Sequence, residues 1–176
     1  MKRISLLLLL VVLAAGSVWA QNKVLNLDGS GDFVGVLDSE SLDLKSTATV
    51  EAWVKAETPG GLIFDNMYNY NLGGYQLLWR GKTFDFTVSD GKTWRSLSNE
   101  FVIPKTQPQL GRWYYVTGVV TQPNGYLRLY VNGQLDAEVK INFTPDLNPD
   151  RDARIGDSIS FLFGRAWKGQ IDEVRI

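Results

Sequence analysis

The sequence contains neither cysteine nor histidine. Without cysteine no disulfide can form. Without either residue, Ser–His and Cys–His nucleophiles, histidine acid–base catalysis and ordinary zinc sites are excluded. Excess positive charge is missing too. The formal net charge is −1, and the single charges of Lys2 and Arg3 belong to a distinct N-terminal segment, so the remainder carries −3. Such a chain has no general attraction for phosphate backbones, and nucleic acid is not an expected partner.

Long apolar runs are equally scarce. One occurs, Ile4 to Ala15, preceded by Lys2 and Arg3 and followed by the small-residue site Val18-Trp19-Ala20. It is shorter than the roughly 18 apolar residues of a membrane span and reads as a secretory signal peptide over residues 1–20. Residues 21–176 then form one exported domain, with no membrane insertion after signal removal. A domain of this size buries about two-thirds of its unfolded surface and can dispense with disulfides. A cysteine-free exported chain fits bacterial secretion to the periplasm, the cell surface or the medium. The sequon Asn142-Phe143-Thr144 is then expected to go unused.

Alternating apolar residues, glycines and aromatics fill the rest. No segment after residue 20 sustains an amphipathic helical repeat, whereas about a dozen short strand-like runs alternate with turn clusters such as Pro59-Gly60-Gly61, Ser89-Asp90-Gly91 and Asn132-Gly133. Strands at this spacing predict an antiparallel sandwich or barrel. In Thr49–Ala56, one face (Val50, Ala52, Val54, Ala56) is small or β-branched, and Trp53 lies opposite between Glu51 and Lys55. Trp113–Val120 is almost continuously apolar and reads as a strand covered on both sides. Core packing is therefore expected for both Trp53 and Trp113.

The hairpin around Asn132-Gly133 admits two registers. A two-residue turn would set Leu129 against Asp136 and Leu127 against Glu138. A three-residue loop, Val131-Asn132-Gly133, instead pairs Leu129 with Leu135, Leu127 with Ala137 and Arg128 with Asp136. The second keeps apolar and charged faces separate and is the expected one.

Seven segments occur in an ordered series: Leu27-Asp28-Gly29-Ser30-Gly31-Asp32-Phe33-Val34, Ser39-Glu40-Ser41-Leu42-Asp43-Leu44, Thr49-Val50-Glu51-Ala52-Trp53-Val54, Gly111-Arg112-Trp113-Tyr114-Tyr115-Val116, Leu127-Arg128-Leu129-Tyr130-Val131-Asn132-Gly133, Arg154-Ile155-Gly156 and Gly169-Gln170-Ile171-Asp172-Glu173-Val174-Arg175-Ile176. Together they resemble the laminin G-like (LamG) domains of the concanavalin A-like lectin/glucanase superfamily across essentially all of residues 21–176. Tyr115 departs from the pattern, since relatives commonly carry histidine there. The resemblance implies an all-β, two-sheet antiparallel jelly-roll sandwich whose first and last strands are neighbours. It also implies a non-catalytic module, fused to or associated with a larger secreted protein, rather than an enzyme. Related glycoside hydrolases carry a Glu-x-Asp-x-x-Glu pattern that is missing here. Asp136 and Glu138 imitate it, but the expected hairpin register puts both on a solvent face, and the adjacent Asp172 and Glu173 should point to opposite sides.

Two sites are expected. Asp28, Asp32 and Asp172, on strand ends brought together by the fold, could supply oxygens to a structural calcium ion; alternatively Asp28 and Asp32 cap a glycine-rich turn. Sugar recognition needs aromatic faces for C–H patches and polar side chains for hydroxyls. Tyr68 and Tyr70 in the Asp65–Tyr75 loop, with Trp79, Trp94 and Arg95, have that composition, and Trp167 is a weaker candidate. Trp79 shares a strand face with Tyr75, so it could instead be core. The expected partner is a glycan or surface glycoprotein; the alternatives are an interaction domain without a sugar site and, last, a glycoside hydrolase.

Overall fold

The computed structural model describes residues 23–42, 44, 47–67, 69, 71–98, 104–122, 125–158 and 165–176. The predicted signal peptide and the aromatic pair Tyr68 and Tyr70 lie outside the described residues. Twelve strands follow in order: β1 (Leu25–Asp28), β2 (Val34–Val36), β3 (Thr47–Ala56), β4 (Gly61–Asp65), β5 (Gly74–Arg80), β6 (Thr83–Ser89), β7 (Trp94–Ser96), β8 (Trp113–Thr121), β9 (Tyr126–Val131), β10 (Gln134–Lys140), β11 (Ala153–Ile155) and β12 (Lys168–Arg175). They form two six-stranded antiparallel sheets, β1-β12-β3-β8-β9-β10 (sheet I) and β2-β11-β4-β5-β6-β7 (sheet II). The jelly-roll expectation holds, and β1 does lie beside β12. Among the described residues no helix is long and apolar enough to cross a membrane.

Period-two patterning builds the core. Val50, Ala52, Val54 and Ala56 of β3, Tyr114, Val116 and Val120 of β8, and Leu127 and Leu129 of β9 are buried together with Tyr75, Leu77 and Trp79 of β5 and Phe84, Phe86 and Val88 of β6. Phe84 meets Tyr114 across the sheets at 5.6 Å between ring centroids. Gly118 of β8 allows a close approach between the sheets: a Cβ there would fall 2.5 Å from the Phe86 ring. Burying this apolar surface supplies the main stabilisation of the sandwich.

The β9–β10 hairpin departs from the expected register. Asn132 and Gly133 both have positive φ, 51° and 77°, which suits a two-residue primed turn, and Gln134 pairs with Val131 and Leu135 with Tyr130. A bulge at Asp136 then shifts the ladder, so that Ala137 faces Leu129 and Glu138 faces Arg128. The inserted residue resolves the conflict that argued against the short turn. Arg128 consequently bonds Glu138. Asp136 is buried rather than solvent-facing; its Oδ1 accepts hydrogen bonds from the Thr106 N–H at 2.9 Å and the Thr106 hydroxyl at 2.6 Å. It ties residues 104–112 to the edge of sheet I.

Candidate functional site

Trp53 and Trp113 are not core residues. Strand alternation turns both to the outer face of sheet I, where they remain 39% and 38% exposed. Only one side of β8 is buried; Trp113, Tyr115 and Thr117 alternate outward with the buried Tyr114, Val116 and Gly118. The register aligns Trp53 with Tyr115 and Lys55 with Trp113, and on the other side aligns Asp172 with Trp53. Paired residues share a sheet face, so Asp172, Trp53 and Tyr115 form one row across three strands.

This row is preorganised. The Trp53 and Tyr115 ring centroids are 5.2 Å apart with planes inclined by 34°, and the Lys55 ammonium lies 5.5 Å from the centroid of the Trp113 ring. Burial and the adjacent Glu51 carboxylate hold the Tyr115 phenol above its ordinary pKa, which keeps it a neutral donor and acceptor. On the other side of β12, Gln170 donates its amide to Asn26 Oδ1 of β1 at 2.9 Å.

A groove of about 380 Å³ runs beside the aromatics, lined by Val24, Trp53, Trp113, Asp172 and Glu173. Asp172 and Glu173 thus line the same groove, although adjacent strand residues normally point to opposite sides. The cause is a second bulge, between Asp172 and Arg175, with Glu173 at φ 48°. Asp172 Oδ1 accepts the Glu173 N–H at 2.8 Å, and Arg175 bridges Glu173 at 2.8 Å and Glu51 at 3.3 Å. A non-glycine residue in the left-handed region costs about 1 kcal/mol or more, and such strain concentrates at functional positions. The arrangement offers flat π faces flanked by fixed hydrogen-bond acceptors.

The residues expected from sequence fare differently. Trp79 is buried in the core, 5.9 Å from Phe84, and its indole N–H is donated to the Gly81 carbonyl at 3.1 Å, so it offers no ring face to a ligand. Trp167 is fully buried as well. Trp94 is 42% exposed but lies on β7, an edge of the other sheet, with Arg95 half-buried beside it. Neither joins the Trp53 row. The exposed tryptophans were legible in one respect: Trp53 alternates with Glu51 and Lys55, a polar face by pattern.

The three carboxylates expected to hold calcium do not converge. Asp28 pairs with Lys168, four strand positions from Asp172 and so about 13 Å along the strand. Asp28 Oδ1 accepts the Ser30 N–H at 2.7 Å, and Asp32 Oδ2 the Asp28 N–H at 3.4 Å, the pattern of a capped turn. Among the described residues no three carboxylates cluster as a metal shell. Asp28, Asp32 and Asp172 therefore do not fit one calcium ion.

Solved structures share this architecture at low identity. Domains LG4-5 of the mouse laminin α1 chain match with a TM-score of 0.65 and 15% identity, over 85% of this chain and 40% of that one. A "putative carbohydrate binding protein" from Bacteroides ovatus matches with 0.63 and 21%, over 86% and 42%. The binding domain of botulinum neurotoxin DC in complex with SialylT matches with 0.56 and 15%, over 84% and 37%. The chain thus spans about two fifths of the length of these relatives. No curated protein matches the sequence. A family model for laminin G-like domains matches residues 28–176, and the chain belongs to this laminin G-like family of the concanavalin A-like lectin/glucanases superfamily.

Proposed function

We propose that this chain is an exported, non-catalytic glycan-binding module that holds a saccharide against the outer face of sheet I. The observation that carries the reading is the row Asp172–Trp53–Tyr115, with Trp113 one step along the strand. Trp53 and Trp113 line one groove while each is more than a third exposed, and a contiguous exposed apolar patch marks an interaction surface. Pyranose C–H faces stack on such rings, and the Asp172 and Glu173 carboxylates are placed to accept hydroxyl hydrogens. The Lys2-Arg3 leader and its apolar run support export. A structural relative described as a carbohydrate binding protein and another solved in complex with SialylT favour the same class of ligand. Calcium plays no part in this reading.

The test is a polysaccharide and glycan-array screen of the exported domain, followed by titration calorimetry with Trp53→Ala, Trp113→Ala and Trp94→Ala variants. Binding should weaken at least about tenfold in the first two and stay within about twofold in the third, each lost ring forfeiting its buried area together with about 0.5–1.5 kcal/mol of stacking. Affinity indifferent to Trp53 and Trp113 would overturn the site. Glycan cleavage abolished by Asp172→Asn would overturn the non-catalytic assignment.

A further inference from the structure

A second recess, about 480 Å³, opens on sheet II and is lined by Phe33, Leu72, Arg151, Asp152 and Arg154 among others. Its size lies within the range of about 300–1,000 Å³ typical of small-ligand pockets. Phe33 is 46% and Leu72 48% exposed. Arg154, on β11, stacks its guanidinium 4.0 Å from the Phe33 ring centroid and donates Nη1 to the Ser158 carbonyl at 2.8 Å. Arg151 donates Nη2 to the Leu72 carbonyl at 2.9 Å. These contacts fix both cations against the recess.

The fixed cations are not neutralised in pairs among the described residues. Among the described residues the ion pairs involve Arg80, Arg128 and Arg175, not Arg151 or Arg154. Nη1 of Arg151 is buried and has no hydrogen-bond partner among the described residues. Leaving a buried charged donor without an acceptor is costly, and a turn of the guanidinium toward the recess lets a ligand supply one. The Asp152 carboxylate lining the recess already accepts the Asp38 N–H at 2.9 Å. Two guanidinium groups against one carboxylate leave the lining net positive, which favours an anionic ligand.

We propose that this recess binds a carboxylate-bearing sugar, the carboxylate on the Arg151 guanidinium and the apolar sugar face against Phe33 and Leu72. A guanidinium edge presents parallel N–H donors that match a carboxylate, while the exposed ring and leucine accept C–H surface. The site is on the opposite sheet from Trp53 and does not depend on that surface binding anything.

The experiment titrates the exported domain with oligogalacturonate, the neutral galacto-oligosaccharide of equal length, a sulfated galacto-oligosaccharide and a short peptide with a free C-terminus. Oligogalacturonate should bind, weaken at least about tenfold in Arg151→Gln, and weaken with added salt. Arg151→Lys should restore part of the affinity, and Trp53→Ala should leave it unchanged. Phe33→Ala changes an exposed side chain and should also lower affinity several-fold, so the proposal is testable even if Arg151→Gln does not fold. Equal binding of the neutral sugar, preference for the sulfated sugar or the peptide, or full affinity in Phe33→Ala would overturn it. Loss of binding in Trp53→Ala alone would move the acidic sugar to sheet I and equally overturn it.

Discussion

Trp53 and Tyr115 stack at 5.2 Å across β3 and β8, on the face of the sheet turned away from the core. Immediately behind them, Ala52 and Val116 are paired and fully buried. One ladder therefore presents two unrelated surfaces, alternating residue by residue. Substitutions only one position apart should separate stability from recognition.

The first prediction uses that separation. Trp53→Ala removes an outward pair worth about 1 kcal/mol or less and should leave the unfolding midpoint nearly unchanged while weakening glycan binding. Gly118→Ala, on the inward side of β8, drives a Cβ into the Phe86 ring and should cost about 1–3 kcal/mol with little effect on affinity in the protein that remains folded. Urea unfolding and calorimetry on the two variants would check both. A Gly118→Ala protein as stable as wild type would contradict the close sheet contact.

Asp136 should matter structurally and Glu138 much less. Removing the Asp136 carboxylate leaves the half-buried Thr106 donors without this acceptor, at about 1 kcal/mol or more. Asp136→Ala should therefore lower stability and expose residues 104–112 to proteolysis, and Asp136→Asn, which keeps one acceptor, should cost less. Equal stability of Asp136→Ala and Glu138→Ala would mean that the bulge does not anchor this segment.

Calcium should leave the domain's melting temperature within about 1 °C of its value in chelator. An ion bound at a hundred times its Kd would add about 2.7 kcal/mol, which for a domain of this size is a rise of several degrees. Thermal scans with excess calcium and with chelator decide between these. A rise of that size, lost in both Asp28→Asn and Asp172→Asn, would restore the shared cation site.

The strands were legible because each alternates between a buried and an exposed set, a local signal that survives without knowledge of partners. What needed a partner was not. Regular ladders give Leu129 opposite Leu135, whereas a single inserted residue at Asp136 lets a two-residue turn coexist with a segregated core. The Glu173 bulge likewise puts Asp172 and Glu173 on one groove, and no local pattern marks where a ladder will slip. Trp53 shows a different difficulty. Its alternation with Glu51 and Lys55 points to the outer face while its size argues for the core, and in β3 the alternation decides. The separation of Asp28 from Asp172 follows from the β1–β12 register, which relates residues far apart in sequence. The Phe33–Arg151 recess is assembled from three separate segments and has no signature in any one of them.

Alkaline pH should destabilise the fold through Tyr75. Its ring packs between Phe64, at 5.6 Å, and Phe86, at 6.5 Å, and burial pushes the phenol up to about 12, a hydrogen bond with Asn66 opposing part of the shift. In the unfolded chain the same group ionises near its ordinary value of 10.0. The folded state therefore holds the proton more tightly, so this contribution is fully present below pH 10 and is lost as pH rises toward 12. The amount at stake is about 2–3 kcal/mol, from about 1.4 kcal/mol for each pH unit between the two values. Tyr115, whose phenol is also held above its ordinary value, acts in the same direction. Urea unfolding of wild type and Tyr75→Phe between pH 8.5 and pH 11.5 isolates the Tyr75 share: the wild-type free energy should fall more steeply above pH 10, and the two curves should converge or cross. Parallel curves would show that Tyr75 ionises in the folded protein as freely as in water, which its packing between two phenylalanine rings forbids.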